Sequence, residues 1–304
     1  MKHLFIINPA AGKGKTLDYI AGIKEYFSGK NDIYFIETTR YPGHGVELVK
    51  QYVSRDTFRV YAVGGDGTVN EVLNGIAGSD SSLAVIPAGC GNDFFKSLVK
   101  YFAGKNPPEK QDLKDRLLEG LVNGSELTVD MGRINDRYFI NIASLGFDAE
   151  VVYNSQKIKK LPLVSGLFAY IISVFATLIS YKRNPLKITI DGSTMEKNTL
   201  LVAVANGKYY GGGMQPAPSA EIDDGFLDIC LIEYVGRMKI MKFLPKFVKG
   251  THADIKEVSF HRCKSLSIFS KNKVAMNVDG ETGIIEGKAD FEIIPGGIKI
   301  VLPL

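Results

Sequence analysis

The first hundred residues repeat one unit: a strand-length run, a glycine-bearing loop, then a helical stretch. Runs at 4–7, 33–36, 59–63 and 83–86 read as buried strands, and helical patterns follow at about 16–27, 46–53 and 69–76. Parallel neighbours need a crossover between them, so this order predicts an α/β domain, a parallel sheet with helices on both faces. In such sheets ligands bind beyond the carboxyl ends of the strands. Three loops fall there. The first is Asn8-Pro9-Ala10-Ala11-Gly12, followed by Lys13-Gly14-Lys15. The second is Gly64-Gly65-Asp66-Gly67-Thr68-Val69-Asn70-Glu71, and the third Pro87-Ala88-Gly89-Cys90-Gly91-Asn92-Asp93.

The second loop has the residue types of a phosphate site. Glycine lets backbone approach a phosphate closely, and the helix that follows offers N–H groups and a positive dipole end. Asp66 is expected at an exposed loop tip, where its carboxylate suits Mg²⁺, directly or through water. Thr68 and Asn70 offer hydrogen bonds. The same residues alone also read as a capped strand-to-helix turn. Three such loops on one sheet edge point to a shared site for an anionic ligand. Two familiar loops are excluded. Gly14-Lys15-Thr16 ends like a Walker A loop, but its earlier glycine position holds Pro9. The dinucleotide fingerprint fails at Asn70 and at Phe94, where its third glycine belongs.

Beyond a charged connector at 104–124 the pattern changes. Short strands at 127–133, 138–144, 186–191, 199–205, 226–232, 266–269, 274–278 and 291–294 predict a mostly β second domain with two helical insertions. Asp191-Gly192, Asp224-Gly225 and Asp279-Gly280 read as tight turns. The expected domains are 1–124, with a C-terminal return at about 296–304, and 125–295. A length of 304 residues accommodates two domains, and a hydrophobic share of 45% supplies their cores. The net charge of +4 is too mild to imply nucleic acid. Three scattered cysteines (Cys90, Cys230, Cys263) form no disulfide framework, which predicts a reduced, cytoplasmic setting. The four apolar residues after His3 are too few for a signal peptide, and His44, His252 and His261 lack metal-ligand spacing.

The three loops, with Asn141-Ile142-Ala143-Ser144-Leu145-Gly146-Phe147-Asp148-Ala149-Glu150, Gly211-Gly212-Gly213-Met214, Asp224-Gly225-Phe226-Leu227-Asp228 and Val278-Asp279-Gly280-Glu281, resemble the diacylglycerol kinase catalytic family of bacterial soluble lipid kinases, related to sphingosine kinases. The likeness spans nearly the whole chain, in order. It implies ATP as co-substrate and Mg²⁺. The nucleotide site it implies uses Asn8, Pro9, Ala10, Ala11, Gly12, Thr39, Gly64, Gly65, Asp66, Gly67, Thr68, Val69, Asn70, Glu71 and Cys90. The family usually has Thr at the last of these. Glu281 is implied as general base, with Asp279 orienting it or the metal. Glu221, Asp224 and Phe226 match a structural Mg²⁺ site, with Glu221 and Phe226 giving backbone carbonyls. A return of residues 298–302 to the first sheet is also implied.

Two segments bear on membranes. Residues 161–181 carry no charge and are long enough to span a bilayer. A spanning helix would put the nucleotide loops and Glu281 on opposite sides, so a helix packed on the β domain with an apolar face near the lipid entrance is expected instead. In 237–249, Lys239, Lys242, Lys246 and Lys249 share one helical face opposite Ile240, Phe243, Leu244 and Phe247, the pattern of a membrane-surface helix. The expectation is a peripherally membrane-associated kinase of a lipid hydroxyl, most simply that of diacylglycerol. Its partners would be a lipid substrate, a membrane surface and possible homodimer formation, with no nucleic acid. A kinase of a soluble acceptor such as NAD, or a non-catalytic nucleotide- or lipid-binding regulator, is the alternative.

Overall fold

The computed structural model describes residues 1–102, 113–158 and 166–304. They divide into two compact units, Met1–Met131 with Ile294–Leu304, and Gly132–Ile293. The first hundred residues give β1 (Lys2–Ile7), a 3₁₀ segment (Ala11–Asp18), α1 (Tyr19–Phe27), β2 (Ile33–Thr38), α2 (His44–Val53), β3 (Arg59–Gly64), α3 (Asp66–Ile76), β4 (Ser82–Pro87) and α4 (Asp93–Phe102). Then come α5 (Leu113–Val122), β5 (Ser125–Ile134), β6 (Arg137–Phe139), β7 (Ile142–Gly146), α6 (Phe147–Ile158), α7 (Gly166–Ser180), β8 (Asn184–Ile190) and β9 (Ser193–Ala205). The chain continues through β10 (Leu227–Glu233), α8 (Arg237–Lys249), β11 (Val258–Cys263), β12 (Ser265–Val278) and β13 (Glu281–Leu302).

The sheet of the first unit runs β2-β1-β3-β4-β13, these neighbours pairing in parallel, and β5 pairs β13 as well. Lys299 and Ile300 of β13 pair with Ser82 and Leu83. The runs read from the sequence form its strands because both faces are buried. Phe5, Ile7, Tyr61, Val63, Ala84 and Ile86 pack with Ile23 and Phe27 of α1 and Leu117, Leu118 and Leu121 of α5. By alternation, Leu4, Ile6, Val60 and Ala62 turn to the other face, where α3 lies against β3 and β4. Arg59 is buried at the start of β3 and donates to the carbonyls of Leu121, Val122 and Gly124, capping the end of α5.

The second unit is antiparallel, in the order β11-β10-β9-β7-β12-β13, with β8 pairing both β9 and β12. Its central strands, β7, β10 and the second half of β9, are buried on both faces. Ala143, Leu145, Val202, Val204, Ile229 and Leu231 join one core. Their neighbours Ile142, Leu201, Ala203, Cys230 and Ile232 join a second with Val151 of α6, Leu178 of α7 and Ile240 and Phe247 of α8.

Several elements differ from the expected ones. The strand expected at 138–144 is broken at Ile140 and Asn141, whose N–H groups bond the Asp279 carboxylate instead of a neighbouring strand. The two short strands expected at 266–269 and 274–278 are one, β12, with an irregularity after Ser270. α4, α6 and β11 are additional. α1 starts at Tyr19, because Gly12, Lys13 and Gly14 hold left-handed φ values of 58°, 58° and 88°. Part of the expected apolar helix at 161–181 lies outside the described residues, and among those described no helix is long and apolar enough to cross a membrane.

Candidate active site

The glycine loops of the first unit meet at the carboxyl ends of β1, β3 and β4. A Cβ on Gly12 would stand 2.6 Å from the Ala88 carbonyl oxygen, and one on Gly89 would collide with the Cα of Gly65. Only glycine permits these approaches. Asn8 ties the first loop to the second: its Nδ2 donates to Thr68 Oγ1 at 3.1 Å, and its Oδ1 accepts from the Ala10 N–H at 3.0 Å. Thr39 follows β2 and is held to β1 through its N–H on the Ile7 carbonyl, 2.9 Å. The third loop is closed by the Asn92 side chain, which accepts from the Gly89 N–H at 2.9 Å and donates to its carbonyl at 3.0 Å. Cys90 is a free, exposed thiol between them. The first turn of α3 opens on this edge, at the position where helix N–H groups and dipole favour an anion.

Three expected roles change. Asp66 is no exposed loop tip. It is the first residue of α3, half-buried, and its Oδ1 accepts from the Phe94 N–H at 3.1 Å near the start of α4. Glu71 accepts from the N–H groups of Gly43 and Gly45, both at 2.8 Å, and so caps α2 and fixes the loop after Thr39. Val69 is 2% exposed and its N–H closes onto the Gly65 carbonyl, so it packs rather than binds. Asp93 is a side chain the sequence did not single out. Its Oδ2 and that of Asp66 flank Gly91, 3.4 Å and 2.9 Å from where a Cβ would be. Lys96 pairs with Asp93 at 2.8 Å. Two carboxylates at a glycine-loop edge suit the hard cation that accompanies a nucleotide phosphate.

In the second unit Asp279 and Gly280 form a two-residue turn with φ of 47° and 94°, pairing Val278 with Glu281. The Asp279 carboxylate is buried and accepts three backbone N–H groups: Ile140 at 2.8 Å, Asn141 at 3.0 Å and Ile142 at 3.0 Å. These bonds engage both of its oxygens and fix the turn. Glu281 emerges beside it, 41% exposed, with Oε2 2.6 Å from the guanidinium of Arg137. Nothing in the sequence marked Arg137, because its pairing depends on β6 and β13 being brought together. A carboxylate held at a strand end by a turn and an ion pair is a candidate general base.

The side chains of two of the expected metal residues, Glu221 and Asp224, are engaged by basic groups. Asp224 Oδ1 accepts from the Phe226 N–H at 3.1 Å, and its Oδ2 is paired with Arg262, whose guanidinium lies 4.5 Å from the Phe226 ring centre. Glu221 pairs with Lys208 at 3.0 Å. The neighbouring Asp228 is pushed up to about 6, chiefly by burial, against the Arg262 charge and with help from Asp224 and Glu221. Among the described residues no group of three or more His, Cys, Asp or Glu is arranged to hold a metal.

An apolar cavity of about 60 Å³ lies in the same unit, walled by Phe147, Val151 and Tyr210 and by Ile240, Phe243 and Phe247 of α8. Its one acidic wall residue is Asp148, whose carboxyl burial holds above the usual carboxylate range, with Ser144 donating to its Oδ2 at 2.5 Å.

Residues 2–134 match the family model described as diacylglycerol kinase catalytic domain, and residues 141–302 the one described as YegS C-terminal NAD kinase beta sandwich-like domain. The chain is 27% identical to the diacylglycerol kinase of Bacillus subtilis (strain 168) over 301 residues, 98% of this chain and 95% of that one. It is 33% identical to that of Staphylococcus saprophyticus over 224 residues, 73% of this chain and 70% of that one. A crystal structure from Bacillus anthracis, assigned as a diacylglycerol kinase, superposes with a TM-score of 0.73 at 25% identity, covering 99% of this chain and 97% of that one. An NAD kinase from Archaeoglobus fulgidus in complex with ATP shares the fold alone, with a TM-score of 0.53 at 12% identity over 100% of this chain and 94% of that one.

Proposed function

The chain belongs to the diacylglycerol kinase catalytic family, and on that premise we propose that it transfers the γ-phosphoryl group of Mg²⁺-ATP to a lipid hydroxyl, converting diacylglycerol to phosphatidic acid. The first unit binds the nucleotide. Its glycine loops receive the phosphates on backbone N–H groups, Lys13 and Lys15 add positive charge, and Asp66 and Asp93 would hold the cation that travels with ATP and neutralises its phosphates. Phosphoryl transfer is governed by positioning and charge neutralisation, which is what these groups supply. Glu281 takes the hydroxyl proton as the acceptor oxygen bonds to the γ-phosphorus. The bond from that phosphorus to the bridging oxygen breaks, and ADP leaves. Arg137 and Asp279 hold Glu281 and its turn in place. No step uses a metal at Asp224.

The observation that carries the acceptor class is the apolar cavity. A cavity of about 150 Å³ holds a benzene ring. The cavity here is smaller, about 60 Å³, and its walls are apolar but for Asp148 and the Tyr210 hydroxyl, which favours an alkyl chain over a nucleotide such as NAD. The second unit therefore serves the acceptor, and the enzyme works at a membrane surface in the cytoplasm.

Radiolabelled ATP supplied with a panel of lipids in mixed micelles, and with NAD, tests the reading. Diacylglycerol should be labelled, and NAD should not. Glu281→Gln should then lower kcat by about 10²- to 10⁴-fold, the usual worth of a general base, with ATP affinity unchanged. Labelling of NAD alone, or an unchanged kcat in Glu281→Gln, would defeat it.

A further inference from the structure

α8 is apolar on two sides. Ile240, Phe243, Leu244 and Phe247 turn inward and wall the cavity. Outward it presents Met238, Met241 and Val248 at 72%, 46% and 41% exposure, with Pro245 exposed among them. At about 100° per residue these four fall within one narrow arc, and Lys249, Lys242, Lys246 and Lys239 fill the next. α7 carries a matching stripe: Ile172, Phe175 and Ile179, three and four residues apart, are 36%, 50% and 68% exposed. The end of α7 meets the start of α8, where the Arg237 guanidinium donates to the Ile179 carbonyl at 2.5 Å. Water gives no reason to expose large apolar side chains along one face of a helix, and such faces mark interaction surfaces.

The charge beside the row says what covers it. α8 carries Arg237 and four lysines and no acidic residue. Lys239 pairs with Glu257 and Lys246 with Asp254. Lys242 and Lys249 have no ion-pair partner among the described residues. A helix with an apolar strip edged by unpaired lysines matches a bilayer interface bearing anionic headgroups.

We propose that the outward faces of α8 and of the end of α7 dock this protein on an anionic bilayer, with Met238, Met241, Val248, Phe175 and Ile179 at the headgroup boundary and Lys242 and Lys249 on lipid phosphates. This deepens the lipid-kinase reading by naming the surface that meets the membrane, and it rests on that reading for its purpose. The same helix then separates the bilayer on its outer side from the apolar cavity on its inner side.

The test uses the full chain and vesicles of phosphatidylcholine, alone or equimolar with phosphatidylglycerol. The chain has no tryptophan, so Met241→Trp is a single-site reporter. Its emission should shift to the blue on the mixed vesicles. Co-sedimentation of the wild type should favour the mixed vesicles. Lys242→Gln with Lys249→Gln should weaken that binding about 30-fold, roughly fivefold for each lysine. Met238→Ser with Met241→Ser should weaken binding to both compositions. Unshifted emission, no vesicle binding by the wild type, or equal binding by both double variants would overturn the proposal. So would a wild type that ignores vesicles but binds polyglutamate, which would give the face to an acidic protein. A protein that binds mixed vesicles through these residues but labels no lipid would sink the kinase reading and leave the docking surface standing.

Discussion

Replacing Asp279 by Asn isolates what its carboxylate does. Asn tolerates the left-handed φ of 47° at this position, so the turn itself is kept. The Asn oxygen can still accept from Asn141 and Ile142, which share Oδ1 in the wild type. The amide NH₂ then faces the Ile140 N–H, donor against donor, where Oδ2 had accepted at 2.8 Å. A bond to a charged group contributes about 1.5–3 kcal/mol, and a buried donor left unmet costs about 1–3 kcal/mol. A net loss of about 3 kcal/mol is expected, which in a unit of this size lowers Tm by about 6–12 °C. Denaturant midpoints and calorimetry measure it, and kcat is read well below the lowered Tm. There the variant should keep most of its activity and the same acid limb of the pH–rate profile. An unshifted Tm together with a kcat loss of about 10²-fold or more would make Asp279 the base and refute the positioning role.

The remaining predictions concern three other groups. Asp66→Ala should abolish turnover and also cost about 1 kcal/mol, the worth of the cap it provides to Phe94; a stability equal to wild type would deny that cap. Arg137→Gln should lower kcat by up to about 100-fold through misplacement of Glu281 without changing KM for ATP, and Arg137→Lys should recover part of it; an ATP-affinity loss would move Arg137 to the nucleotide side. Asp228 has a folded value of about 6 against an ordinary 3.8, so the folded state holds its proton more tightly. Its contribution is intact below pH 4 and is lost as pH rises to 6. Asp228→Asn should therefore gain on wild type across that window by up to about 3 kcal/mol, and a difference flat with pH would contradict the burial argument.

The first unit was legible because its signals are local. Strand, glycine loop and helix each lie within about a dozen residues, and the close approaches at Gly12 and Gly89 are forced by glycines visible in the chain. Glu71 shows where that ends. Its place in the second glycine loop suggested a ligand contact, but its partners, Gly43 and Gly45, are more than 25 residues away. The second unit was less legible for the same reason. The break between β6 and β7 is caused by a carboxylate about 140 residues later in the chain, and no propensity at Ile140 or Asn141 reports it. Arg262, which pairs with Asp224, comes from β11, a strand the apolar pattern did not show.

The pairing of β13 with β4 has a consequence for synthesis. Ser82 to Pro87 is made early, yet the strand that closes its open side through Lys299 and Ile300 is made more than 200 residues later. At about 5–20 residues per second, the growing chain carries that bare apolar strand edge for roughly 10–40 s. The unit that holds the phosphate loops therefore cannot finish its sheet until the other unit has been translated. A ribosome that stalls before Lys299 leaves every glycine-loop residue in place on a sheet that still lacks its last strand.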